Sequence, residues 1–429
     1  MNWYHIFSTD VERWVTLGLF VVTFALILYR RFNIAYISLI AAFAFILLGI
    51  TSPDEAFLKG INWDVLALYW GYGMLVTGFL ESNIPRWLAN RILSRLKKEK
   101  YALLFLCILA MVLSSFMVNP VVVIMLAPLA IEIATRLKAS LFLYLVALSV
   151  SSNVVTTVTM ISDPPAIILA TSTGMTFLDF YWFQGRIGLG TLSIIGIGVA
   201  LSTLLFQFRK LNNRVEIKKE EDIKVTYAPL ILFIASVMAL AFIPWKSLGA
   251  WNHPGLVGFV LGILSLAIER TQVKRMLKEF DWNSILFLIG IFIVIDTVNN
   301  IGLLNDFTTW LGATGLKSPT LYLAIFVWVS VALSSFIDNV PYTVLMIPVC
   351  AGVAQMLGVS PFPFYFGMLV GTGIGGNITP VGATANVLAS GMLEKRGYKV
   401  TLGRFMAISV PFSVSAVLAV HILLQLFWL

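Results

Sequence analysis

Residues 371–386 read GTGIGGNITPVGATAN and lie between two apolar runs, 362–370 and 387–392. An ordinary hydrophobic span does not hold five glycines, a proline, two asparagines and three threonines in sixteen residues. In hydrocarbon every free backbone N–H or C=O costs several kcal/mol, so broken backbone persists there only when protein or a wet cavity surrounds it. A second stretch about 220 residues earlier, SSNVVTTVTMISDPPA at 151–166, has the same character. The pairing predicts two interrupted helices that face each other and hold a transported solute.

The rest of the chain supplies the membrane. Of 429 residues, 59% are hydrophobic and 12% charged, with a mean hydropathy of +0.92. Apolar runs recur over the whole length, which marks an all-α polytopic membrane protein. A bilayer β-barrel would show short alternating segments instead. The net charge of +8 is spread over connecting segments and forms no basic domain, so nucleic acid is not an expected partner. Cys107 and Cys350 sit in separate apolar runs and imply neither a disulfide framework nor a thiolate metal site. The first run follows Asp10, Glu12 and Trp14 rather than a basic leader, and is read as a mature span.

The order of segments repeats. Leu58-Lys59 and Trp63 recur as Leu277-Lys278 and Trp282, Ser114-Ser115-Phe116 and Asn119 as Ser334-Ser335-Phe336 and Asn339, and Thr159 as Thr379. The shift is 219 or 220 residues each time. Related halves with interruptions at matching positions are the sequence signature of a secondary transporter. The expected layout is a first repeat over 1–208 (hairpin 101–134, broken helix 141–171), a charged linker over 209–226, and a second repeat over 227–429 (hairpin 321–354, broken helix 362–392). If both hairpins are re-entrant, each half has five transmembrane helices and the second is inverted, about ten spans plus two hairpins. With external N- and C-termini, all but five of the 29 Lys and Arg then fall inside. Arg13, Lys59, Arg186, Lys246 and Lys317 are the exceptions. That bias obeys the positive-inside rule and collapses if either hairpin crosses fully.

Ionisable groups at membrane depth are costly and point to function. Asp163 lies in the first broken stretch and Asp338 at the second hairpin tip; Asp296 and Glu81 fit interfacial or packing roles. Burial disfavours a charged carboxylate, so Asp163 and Asp338 are candidates for proton or cation coupling. Each is equally placed to cap a half-helix N-terminus. Asn119, Asn153, Thr156, Thr157, Asn339, Asn377 and Thr379 supply amides and hydroxyls for a solute, the alternative for any one of them being interhelical packing. Lys and Arg are absent from both broken stretches and both tips, which favours a neutral or weakly charged solute. Enzymatic readings find little: the three histidines form no HExxH pair, and no GxxxxGK[ST] loop exists. An aspartyl intramembrane protease would need a proton-sharing dyad, whereas the aspartates sit at different landmarks of the two halves.

At these residues the chain resembles the ion transporter superfamily, in its branch of arsenite efflux pumps, the melanosomal P protein and citrate transporter-like proteins. The carrying motifs are SDPPAIILATSTGMTFLDF (162–180), SSFIDNVPYTVLMIPV (334–349) and GGNITPVGATANVLASGMLEKRGY (375–398). The resemblance implies solute bound at two hairpin tips and in the broken helices, and elevator-type alternating access. By position, Asn119 and Asn339 become tip ligands, and Asp163, Thr379 and Asn386 line the site. The chain departs from the family pattern at Pro120, Val154-Val155, Ser162 and Ala166, so the second half keeps the pattern better. The expectation is export of arsenite, antimonite or a similar small oxyacid in exchange for protons, at the cell membrane, with no cofactor beyond the proton gradient and with sodium an alternative ion. A sodium/proton antiporter and a sodium-coupled anion or dicarboxylate transporter are the alternatives. A homodimer and, for an arsenite pump, a soluble ATPase are the protein partners this reading allows.

Overall fold

The structure, a computed structural model, describes residues 9–29, 31–214, 223–243, 254–313 and 315–429. The middle of the charged linker, Arg30, Lys246, His5 and His253 lie outside the described residues. The chain is mostly helical. Its first half runs through α1 (Thr9–Tyr29), α2 (Ile34–Leu47), the short α3 (Pro53–Glu55) with a π-helical turn, α4 (Trp63–Glu81), α5 (Ile84–Leu93), α6 (Glu99–Ser114), α7 (Asn119–Arg136), α8 (Leu141–Asn153), α9 (Pro164–Thr173) and α10 (Leu189–Phe208). A small hairpin of β1 (Trp182–Phe183) and β2 (Arg186–Ile187) precedes α10.

The second half runs through α11 (Ala228–Phe242), α12 (Pro254–Ile268), α13 (Val273–Glu279), α14 (Trp282–Asn300), α15 (Leu303–Ala313), α16 (Pro319–Ser334), α17 (Asn339–Leu357), α18 (Phe362–Gly375), α19 (Thr384–Glu394) and α20 (Leu402–Trp428). Each of the first nine starts 219 to 221 residues after its counterpart. Among the described residues six helices are long and apolar enough to cross a membrane, and six more apolar helices are shorter. The chain is a multi-pass membrane protein.

Helices of the two halves pack against each other as well as within each half. α4 lies against α12 and α2 against α14; with α1 and α11 they form a frame. α6–α10 and α16–α20 form a second group containing both hairpins and both broken helices. The frame closes through glycines. A Cβ on Gly71 of α4 would lie 1.9 Å from the Gly258 carbonyl oxygen of α12, and one on Gly262 would meet Gly71 Cα at 2.8 Å. Small residues at this spacing let backbones approach where water supplies no driving force. The repeat-mate of Gly71 is Gly290 of α14, whose added Cβ would reach Ser38 of α2 at 2.5 Å. Gly71→Ala and Gly290→Ala should each destabilise by about 1–3 kcal/mol through overpacking, read as a lower melting temperature in detergent. Gly198→Ala, where nothing lies within 4 Å, is the neutral control. Equal melting of all three would show that the frame does not depend on these crossings.

The aromatic anchors repeat too. Trp63 Nε1 donates to the Phe57 carbonyl (2.9 Å) and Trp282 Nε1 to that of Leu277 (2.8 Å). In each half the indole ties the start of a long frame helix to the segment before it.

Candidate functional site

Each hairpin turns over a short linker, with Val118 preceding α7 and Asp338 preceding α17. α6 stops at Ser114 and α7 restarts at Asn119-Pro120, with proline early in the helix where its missing N–H costs nothing; α16, Asp338 and α17 repeat the arrangement. The broken stretches are tied to these turns in the same way. Thr159 Oγ1 donates to the Ser115 carbonyl, and Thr379 Oγ1 donates to that of Ser335. Ser162 Oγ satisfies the carbonyls of Thr156 and Thr159 inside the first stretch.

The two stretches meet. Asn153 Nδ2 donates to Asn377 Oδ1 (2.9 Å) and Asn386 Oδ1 (3.1 Å). Asn377 Nδ2 returns to the Val150 carbonyl at 2.9 Å. Asn386 Nδ2 serves the carbonyls of Gly376 and Thr379 at 3.1 and 3.0 Å. All three asparagines are buried, and Gly373 brings the second stretch so close to Thr156 that a Cβ there would lie 2.1 Å from its hydroxyl.

Four helix N-termini (α7, α9, α17 and α19) face one cavity of about 710 Å³, called here the tip cavity. N-terminal N–H groups and dipoles favour acceptor or anionic groups at such a place. Of the residues singled out in the sequence, Asn119, Asn153, Thr156, Asp163, Asp338 and Asn339 line it. Thr157, Thr159, Asn377, Thr379 and Asn386 do not; Thr157 pairs with Ser193 of α10 at 2.8 Å, and the others hold the stretches together. The two aspartates also differ. Asp338 Oδ1 accepts from Val340 N at 3.0 Å as a helix cap, while Asp163, at the same position of α9, makes no capping bond.

Around the hairpin tips, unspent hydrogen-bonding capacity among the described residues lies on the first half. Asn119 Oδ1, Ser114 Oγ and Thr156 Oγ1 are buried without a partner, whereas the counterparts Ser334 and Asn339 bond each other at 2.5 Å. Buried polar atoms are almost always satisfied, so Asn119 and Thr156, which line the cavity, mark where a ligand group is expected. The opposite wall belongs to the frame: Tyr69 and Thr77 of α4, with Asp281 and Ser284 at the start of α14. Sequence reading missed these four because their helices read as plain apolar spans. The Asp-x-x-Ser start of α14, in which Asp281 caps Ser284 N at 3.2 Å, was the available signal. Glu279 brings the cavity carboxylates to four, and among the described residues lining it there is no Lys, Arg or His.

A membrane bundle whose polar cavity is framed by both hairpins and both interrupted helices has the construction of a membrane transporter. The sequence relatives agree. The chain belongs to the citrate transporter family (CitMHS), whose model matches residues 24–371. An uncharacterized transporter of Mycobacterium tuberculosis is 25% identical over 91% of this chain and 93% of its own length. The human P protein is 24% identical over 92% of this chain, which spans 57% of that longer protein. Among solved structures, the YdaH transporter of Alcanivorax borkumensis shares the fold, with a TM-score of 0.58 over 97% of each chain at 16% identity.

Proposed function

We propose that the chain is a secondary active transporter exporting arsenite, antimonite or a similar neutral oxyacid in exchange for protons. The chemistry of the tip cavity carries this reading: unspent neutral amide and hydroxyl groups beside four carboxylates, without a cationic side chain. A trihydroxy acid can donate to Asn119 Oδ1 and exchange bonds with Thr156, while Asp163 takes and gives the proton. A polycarboxylate such as citrate would meet these four carboxylates with only helix N-termini, and no cationic side chain among the described lining residues, to offset them. The four carboxylates also suit a cation antiporter, which is the second reading.

A second cavity of about 940 Å³, the far cavity, supports movement of the hairpin group past the frame, an elevator mechanism. The same two helices reach both. α9 meets the tip cavity at Asp163-Pro164 and the far cavity at Ile168 and Ser172; α17 meets them at 338–340 and at Val344–Pro348. At 1.5 Å per residue, a slide of about 6–12 Å would carry the tips from one cavity to the other. In the proposed orientation, at the cell membrane with external termini and inverted halves, the tip cavity opens inward, beside the basic α1–α2 and α12–α14 connections. The test is purified protein in proteoliposomes with an imposed pH gradient. Arsenite flux coupled to proton counterflow without sodium is expected; sodium-driven proton movement with no metalloid flux would establish the second reading instead.

A further inference from the structure

The walls that the frame gives the two cavities are the same positions of the two repeats. At the tip cavity they include Asp281, the cap of α14, and Thr77 near the end of α4. At the far cavity they include Asn62, the cap of α4, and Asp296 near the end of α14. Asn62 is the repeat-mate of Asp281 and caps its helix identically, Oδ1 accepting from Val65 N at 3.2 Å. Asp296 is the repeat-mate of Thr77. At these two matched positions carboxylate and neutral group have exchanged places, so each cavity keeps one carboxylate of the pair at a different height.

Asp296 has no structural duty that requires a charge. It interrupts the apolar helix α14, is partly buried, and accepts one bond, from Asn300 Nδ2 at 3.0 Å. A carboxylate at this depth facing a cavity is costly to keep without a function. The charged groups around it come from few elements. Glu55 and Lys59 before α4 are within electrostatic reach, and Asp64 of α4 shares the cavity while accepting from Gly255 N at 3.2 Å. Asp306 of α15 is paired with Arg13 of α1; α2 and α17 carry no charged residue. Below the cavity, Asn62 Nδ2 donates to Thr171 Oγ1 of α9 at 3.3 Å, a frame-to-hairpin-group bond that any slide must break.

The geometry points to Asp296 as a monovalent-cation station on the outer face, where the hairpin group takes up the coupling ion when its tips stand in the far cavity. The ion is a proton or an alkali cation. This rests on the sliding mechanism proposed above, and the experiment separates the two. Val340 lines the tip cavity and Asn299 the far cavity. The double variant Val340→Cys, Asn299→Cys of the full chain in proteoliposomes is expected to cross-link under oxidation only when the group slides; Cys107 and Cys350 are buried. The cross-linking rate should rise with outer proton concentration at fixed sodium, or with outer sodium at fixed pH, whichever ion is coupled. Adding Asp296→Asn should move that midpoint by about tenfold, and Asp296→Glu should restore it. A cross-link that ignores both ions, or a midpoint that Asp296→Asn does not move, overturns the station and leaves the slide standing. No cross-link under any condition overturns both.

Discussion

Asp163→Asn is expected to fold normally and to lose proton-coupled transport by about 100-fold or more, equivalent to at least roughly 2.7 kcal/mol of coupling. The two halves of that expectation have separate origins. Asp163 starts α9 but its side chain makes no capping bond, and asparagine is as good a cap as aspartate. The substitution therefore removes no contact, and stability should change by within about 0.5 kcal/mol. Its carboxylate faces the tip cavity at a helix N-terminus, with Asp338 within electrostatic reach. Exchanging the acid for an amide deletes the only group of α9 in the cavity that can carry a proton. Asp338→Ala is the useful contrast: it deletes the cap on Val340 N and should cost about 1 kcal/mol of stability. Melting temperature and pH-gradient-driven flux, measured on the same preparations, decide it. An Asp163→Asn protein that still exchanges protons for solute would strip Asp163 of the role.

That contrast shows what local sequence carries and what it does not. The hairpin turns, the interruptions and the repeat depend on local chemistry: Pro120 and Pro341 early in helices, glycines at 371–382, and residues recurring at a constant shift. The observed breaks, 154–163 and 376–383, fall inside the expected stretches. Local sequence does not say which polar atoms are consumed. Asn377 and Asn386 look like ligands in a stretch that keeps the family pattern, yet their amides are engaged by Asn153, more than 220 residues away. Asn119 and Thr156, in the half that has drifted, retain unbonded atoms. The frame wall was illegible for a related reason. Tyr69 and Thr77 become cavity residues only because α4 faces the hairpin group, a tertiary fact without a periodic signature.

Asn153→Ala should be the most destabilising of the single changes considered. Asn153 lines the cavity, so it could serve either as a ligand or as the tie between the broken stretches, and the two roles predict different losses. As a tie, its Nδ2 is the donor to both Asn377 Oδ1 and Asn386 Oδ1, whose own amide nitrogens are committed to backbone carbonyls. Neither can turn to replace it without stranding those carbonyls. Two buried acceptors left bare cost about 1–3 kcal/mol each, while interhelical bonds measured in membranes average nearer 0.6 kcal/mol. A loss of about 2–4 kcal/mol is therefore expected. Asn153→Asp should be at least as harmful despite its shape, because an ionised carboxylate donates nothing and would face two carbonyl oxygens. As a ligand only, Asn153→Ala would raise the solute concentration for half-maximal flux and leave the melting temperature where it was. Large losses of melting temperature in both variants, matched by Asn386→Ala, would identify the asparagine cluster as the joint holding the two interrupted helices in one moving unit.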